Sequence, residues 1–126
     1  NQVLKAMARE VRKSSDAILK ANAIDMQDAE KNGVKKVMLD RLKLDDDRIA
    51  SMADGLEEVA GLADPIGEVL KGWTTETGLD ISKVRVPLGV IGMIYEARPN
   101  VTVDAAGLTF KSGNAVILRG GKEAIH

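Results

Sequence analysis

VIGMIYEARPNVTVDAAGLTFKSGNAVILRG, residues 90–120, holds two short apolar runs separated by a helix-like pattern. Val90-Ile91-Gly92-Met93-Ile94-Tyr95 has no polar alternation, which reads as a strand of a parallel sheet covered on both faces. Pro99 ends it. Val103, Ala106, Gly107 and Phe110 then recur at helical spacing, so a helix from about Val101 or Thr102 to Lys111 is expected to lay that face on the sheet. Ser112-Gly113-Asn114 stops the helix, and Ala115-Val116-Ile117-Leu118-Arg119 reads as a second buried strand. Strand, helix and strand within about 30 residues form a parallel, right-handed βαβ unit. The fold class predicted is α/β.

Upstream of this unit the chemistry changes. Residues 86–118 carry only Glu96, Arg98, Asp104 and Lys111 as charged side chains, whereas residues 1–64 are rich in them. A solvated helical layer should therefore precede the buried α/β layer. Leu4, Met7, Ala8, Val11, Ile18, Leu19 and Ile24 predict one long amphipathic helix that stops near Asn32-Gly33. A short helical turn is expected over residues 36–42. Asp45 then suits an N-cap, with Asp46 and Asp47 at the positive end of the helix dipole. The inner face of this helix is Ile49, Met52, Ala53, Leu56, Val59 and Ala60, and Gly61 with Asp64-Pro65 ends it. Three consecutive aspartates point in different directions on a helix, so they read as capping rather than as a metal site.

Residues 67–86 switch to partial alternation around Thr77-Gly78, the pattern of a β-hairpin. Neither of its faces is cleanly apolar, and an isolated hairpin is marginal. It is expected to join another sheet or a neighbouring subunit. The organisation predicted is thus a helical part over residues 1–66, a hairpin over 67–86 and the βαβ unit over 87–126. The chain starts at Asn1, and residues 122–126 read as the first turn of a further helix, so the expectation is a piece of a longer protein.

Composition narrows the functions. A hydrophobic share of 44% with 29% charged residues is that of a globular protein, and a net charge of −1 gives no attraction for nucleic acid or an anionic membrane. The longest apolar stretch, residues 87–95, is far short of the ~20 residues of a membrane span. With no cysteine, disulfides, thiolate metal sites and thiol catalysis by these residues are excluded, and one histidine, His126, cannot build a triad or a multi-histidine metal site. The location expected is cytoplasmic.

Ligands of an open α/β sheet bind beyond the carboxyl ends of its strands. Two such ends are expected side by side: Tyr95-Glu96-Ala97-Arg98-Pro99-Asn100, and Arg119-Gly120-Gly121-Lys122. The second has two glycines that allow close backbone approach, the N–H groups of a following helix, and two cations, a pattern suited to a phosphate such as the 2′-phosphate of an NADP ribose. A plain turn with two solvated basic side chains is the alternative. No G-x-G-x-x-G is present, so an ordinary pyrophosphate loop is unsupported. At the first end, Asn100 could donate to an oxyanion and Arg98 could hold a carboxylate or phosphate. Alternatively Asn100 caps the next helix and Arg98 pairs with Glu96 or Asp104.

PLGVIGMIYEARPNVTVDAAGLTFKSGNAVILRGGKEAIH, residues 87–126, closely resembles the central motif of γ-glutamyl phosphate reductase, also called glutamate-5-semialdehyde dehydrogenase. MLDRLKLDDDRIASMADGLEEVAGLADPIGEV and WTTETGLDISKVRVPLG resemble the same family, and PLGVIGMI and GNAVILR resemble the wider aldehyde dehydrogenase superfamily. The resemblance covers essentially the whole chain. It implies reduction of L-glutamyl 5-phosphate with NADPH to L-glutamate 5-semialdehyde, phosphate and NADP in proline biosynthesis. By superfamily analogy a cysteine thiolate, in a later domain, attacks the acyl phosphate, and hydride transfer resolves the thioester. The chain alone is then expected to be inactive.

The resemblance also implies roles. Arg119 falls where other superfamily members place a lysine on the adenine ribose, Lys122 falls near where NAD-preferring relatives place a glutamate on the ribose hydroxyls, and Tyr95 and Glu96 align with backbone on the nicotinamide side. The oxyanion donor is assigned to Asn100, although an ungapped alignment puts Arg98 in that place; Arg98 is the alternative as a substrate ligand. The partners implied are the substrate, a second copy through the 67–86 hairpin, and the glutamate kinase that makes the substrate. The rival readings are a CoA-acylating aldehyde dehydrogenase relative and a truncated, non-catalytic cofactor-binding or assembly module.

Overall fold

The computed structural model describes residues 1–126. Five helices and four strands follow in the order α1 (Gln2–Lys13), α2 (Ser15–Lys31), α3 (Lys36–Leu42), α4 (Asp46–Gly61), β1 (Val69–Thr74), β2 (Asp80–Val84), β3 (Val90–Ile94), α5 (Pro99–Lys111) and β4 (Ala115–Arg119). β3 and β4 pair in parallel, with Val90 opposite Ala115 and Ile94 opposite Arg119. β1 and β2 form a separate antiparallel hairpin that turns through Gly78 at φ +84°.

The single long helix expected at the start is two helices. They meet at Ser14, whose amide donates to the Glu10 carbonyl at 2.9 Å while its carbonyl accepts from Ile18 at 3.0 Å. The backbone ladder therefore bends rather than breaks. The bend falls at the Ser14-Ser15 pair, two residues of lower helix propensity than those around them. The Ser15 hydroxyl donates to Asp46 at 3.3 Å, across to the start of α4.

The core lies between helices. Leu4 and Ala8 of α1 pack on Ala53, Leu56 and Ala60 of α4, small residues that let the two axes come close. The Arg12 guanidinium donates to Glu57 and Asp54 at 2.7 and 2.6 Å along the same seam. These partners, Glu57 first, raise its already high pKa. On its other side α4 meets α5. A Cβ on Gly107 would lie 2.7 Å from the Leu56 methyl, so this glycine faces the helical layer and not the sheet, contrary to the predicted face. Ala105 and Thr109 are the other buried residues of α5, and Phe110 is 48% exposed. The helix also starts earlier than expected, with Pro99 at its first position, where its missing N–H costs nothing.

Two further expectations change, those for the β3–β4 pair and for residues 122–126. β3 and β4 alternate between half-buried and exposed positions, with Ile94 79% and Ile117 68% exposed, because α5 covers only one face of the pair. The hairpin is exposed along both arms, Trp73 included. Residues 122–126 form a turn rather than helix, with the Ala124 amide donating to the Gly121 carbonyl.

One buried polar side chain fixes the entry to α4. Asn22, 6% exposed, donates to the Leu42 carbonyl and accepts from the Leu44 amide, both at 2.8 Å. It thereby replaces the ladder partners that the α3–α4 link lacks, and Asp45 then caps α4 by accepting from the Arg48 amide at 2.9 Å. Asn22→Ala leaves both buried backbone groups unpaired. The expected loss is about 1–3 kcal/mol of unfolding free energy, read by urea denaturation; an unchanged midpoint would show that water replaces the amide without cost.

Candidate functional site

The parallel register puts the carboxyl ends of β3 and β4 next to each other, and the Tyr95 amide donates to the Arg119 carbonyl at 3.0 Å, one residue past the ladder. The two predicted site segments therefore meet. The Tyr95 hydroxyl shares a hydrogen bond with Thr102 Oγ1 at 2.5 Å, which holds the ring between α5 and the turn after β4. A Cβ on Gly120 would sit 3.4 Å from that ring. A Cβ on Gly121 would sit 3.1 Å from the Ala97 amide nitrogen and 2.8 Å from a Glu123 carboxylate oxygen. A side chain at Gly121 would crowd the Ala97 backbone, so this glycine serves the close approach of the two loops, whereas at Gly120 a Cβ would make only ordinary contact with the ring.

Around this junction the charges are unevenly satisfied. Glu96 pairs with Arg41 at 3.8 Å, an exposed contact of little energetic weight. Arg119 and Lys122 make no ion pair, and neither does Arg98. Lys122 nevertheless shares a cleft with Asp25, Asp28 and Glu123. Arg98 is the N-cap residue of α5, in extended conformation, and gives no side-chain cap. Asn100 sits inside the first turn, and its Nδ2 donates to Asp104 Oδ2 at 3.1 Å. So Asn100 does not cap α5, and Arg98 pairs with neither Glu96 nor Asp104. An amide has two N–H groups, and Asp104 takes one. The other remains free.

Two features went unseen in the sequence. Asp25 is 7% exposed, and its Oδ1 accepts from the Ile125 amide (3.3 Å), the His126 amide (3.2 Å) and His126 Nδ1 (2.8 Å). It anchors the segment that leads away from Gly120-Gly121. The available signal was its place on the α2 stripe Ile18, Asn22, Asp25 and Ala29, where two polar residues occupy core positions. The second is a polar cleft at the α3–α4 link, in which Arg41, Lys43 and Arg48 join Arg98, Asn100 and Asp104. No group of His, Asp or Glu side chains is arranged to hold a metal ion, and no helix is long and apolar enough to cross a membrane.

No family model matches the chain. Individual proteins do. The chain is 58% identical over all 126 residues to gamma-glutamyl phosphate reductase of Halothermothrix orenii and 60% identical over the same span to that of Moorella thermoacetica. In both cases it spans about 30% of the relative's length. The crystal structure of gamma-glutamyl phosphate reductase from Thermotoga maritima superimposes with a TM-score of 0.91 at 50% identity, over 96% of this chain and 29% of that one. The Saccharomyces cerevisiae structure of that name gives 0.86 at 36% identity, over 96% and 32%. Matched end to end in sequence and nearly so in backbone, the chain is similar to one stretch of the gamma-glutamyl phosphate reductases and has the α/β fold of that stretch.

Proposed function

We propose that this chain forms the cofactor side of an NADPH-dependent reductase of L-glutamyl 5-phosphate, the nucleophilic cysteine lying outside it. The observation that carries this reading is the pair of free cations, Arg119 and Lys122, flanking Gly120-Gly121 where two parallel strands end together. Cations beside a close-approach backbone suit the 2′-phosphate that distinguishes NADPH from NADH. When bound, NADPH would supply the hydride. The residues of this chain attract and orient it, Arg119 and Lys122 at the ribose end and the Tyr95-Glu96 backbone at the other.

At the mouth of β3, Asn100 is the donor proposed for the oxyanion, through the N–H that Asp104 leaves free. Arg98, unpaired and beside it, is the proposed substrate ligand. In this scheme residues 1–66 are the helical part of the cofactor domain, 87–126 its βαβ unit, and 67–86 an assembly hairpin. The exposed Leu70, Trp73 and Leu79 support the last assignment. The intact enzyme would act in the cytoplasm and as a homo-oligomer. Phosphate release without turnover of an acyl-CoA separates this reading from a CoA-acylating relative.

Two outcomes are expected in the intact enzyme. Lys122→Glu puts a fourth carboxylate into a cleft that already holds Asp25, Asp28 and Glu123. It should raise the dissociation constant for NADPH on the order of tenfold while leaving NADH nearly unchanged; equal losses for both cofactors, by fluorescence titration, would remove the assignment. Asn100→Ala should lower kcat about 10²-fold if the amide stabilises the oxyanion. A normal kcat with a lowered melting temperature would reduce it to a partner of Asp104.

A further inference from the structure

The cleft at the α3–α4 link holds more positive charge than the fold requires. It is a cavity of about 440 Å³ lined by the cations Arg41, Lys43, Arg48 and Arg98 and by the carboxylates of Asp40 and Asp104. Both carboxylates are engaged, Asp40 with Arg48 at 3.6 Å and Asp104 with Asn100 at 3.1 Å. Lys43 and Arg98 have no ionic partner. Four cations therefore face two carboxylates; Arg41 also pairs with Glu96 at 3.8 Å, which leaves Lys43 and Arg98 as the uncompensated charges.

Arg48 is held in place for such a partner. Its Nη1 donates to the carbonyls of Asp40 and Lys43 at 2.6 and 2.5 Å, and its backbone is tied to the Asp45 cap. The guanidinium is thus oriented by two main-chain carbonyls together with the longer Asp40 contact, and little side-chain freedom remains to be lost on binding. Asn22 secures the same link from beneath through Leu42 and Leu44. Asn100, the proposed oxyanion donor, lines the same cleft.

We propose that this cleft binds an anionic group of the substrate, with Arg48 as the fixed cation and Lys43 and Arg98 as the mobile ones. The identity of that substrate rests on the reading in the preceding subsection, in which it carries both a carboxylate and a phosphate. The shared chemistry is a small oxyanion, and the reverse reaction tells the two sources apart. There the carboxylate arrives on L-glutamate 5-semialdehyde, and the phosphate arrives as a separate reactant.

Lys43 is exposed and makes no side-chain contact that the fold depends on, so its variants are expected to fold. In the intact enzyme, Lys43→Glu should raise the KM for one of these two reactants about tenfold, with Lys43→Gln intermediate and the KM for NADP within about twofold. The difference should shrink at high ionic strength. A rise for inorganic phosphate assigns the cleft to the phosphoryl group, and a rise for the semialdehyde assigns it to the carboxylate. Unchanged values for both overturn the proposal. If the wild-type enzyme shows no NADP-dependent turnover, the reading of the preceding subsection fails instead. The cleft is then judged by NMR titration with inorganic phosphate: shifts of the Arg48 and Lys43 side-chain signals support it, and their absence overturns it.

Discussion

Ile94 and Arg119 sit opposite one another at the carboxyl ends of β3 and β4, and the Tyr95 amide adds one more bond to the Arg119 carbonyl. Parallel strands run the same way, so both loops emerge at one edge, and the site depends on that. Antiparallel pairing of the same strands would send the Tyr95–Asn100 segment and the Arg119–Lys122 segment to opposite edges. The crossover through α5 makes the parallel arrangement possible. Gly121 then lets the two loops touch without a side chain between them.

The helical layer fixes where the site faces. α4 lies against both α1 and α5, and Leu56 bridges them by touching the α1 core on one side and Gly107 on the other. Two buried polar residues of α2 extend this frame to the loops. Asn22 holds the link into α4, and Asp25 holds residues 125–126, so one helix braces both the cationic cleft and the segment after Gly121. Hydrophobic packing alone would set neither, because each anchored segment is irregular backbone with unpaired groups.

Local pattern made much of this readable. The apolar runs at residues 90–95 and 115–119 announced the βαβ unit, Thr77-Gly78 the hairpin, and Asp45 the cap of α4. Where a prediction failed, the deciding contact was distant in sequence. Gly107 was assigned to the sheet because periodicity gives a face but not its partner, and the partner proved to be Leu56. The runs of β3 and β4 suit coverage on both faces, yet coverage is a property of neighbours, and α5 supplies one side. The bend at Ser14 is a matter of two serines in an otherwise regular stripe. Asp25 and His126 meet across 101 positions, beyond any local pattern. Arg41, Lys43 and Arg48 looked like part of a solvated charged face until the fold set them beside Arg98.

Charge is what joins fold to function in this account. Positive side chains without ionic partners stand at two places around one strand edge: Arg119 and Lys122 beside the glycines, and Lys43 and Arg98 at the neighbouring cleft. In the proposed reading NADPH and an acyl phosphate, both multiply anionic, would each meet one of these sets of cations. The central claim is that the joint end of β3 and β4 is where the cofactor lies. Amide hydrogen exchange of the intact protein, with and without NADPH, tests it most directly. Slowed exchange is expected at residues 95–97 and 119–122, with less slowing by NADH at 119–122. Protection confined to other regions, or none at saturating NADPH, would contradict it.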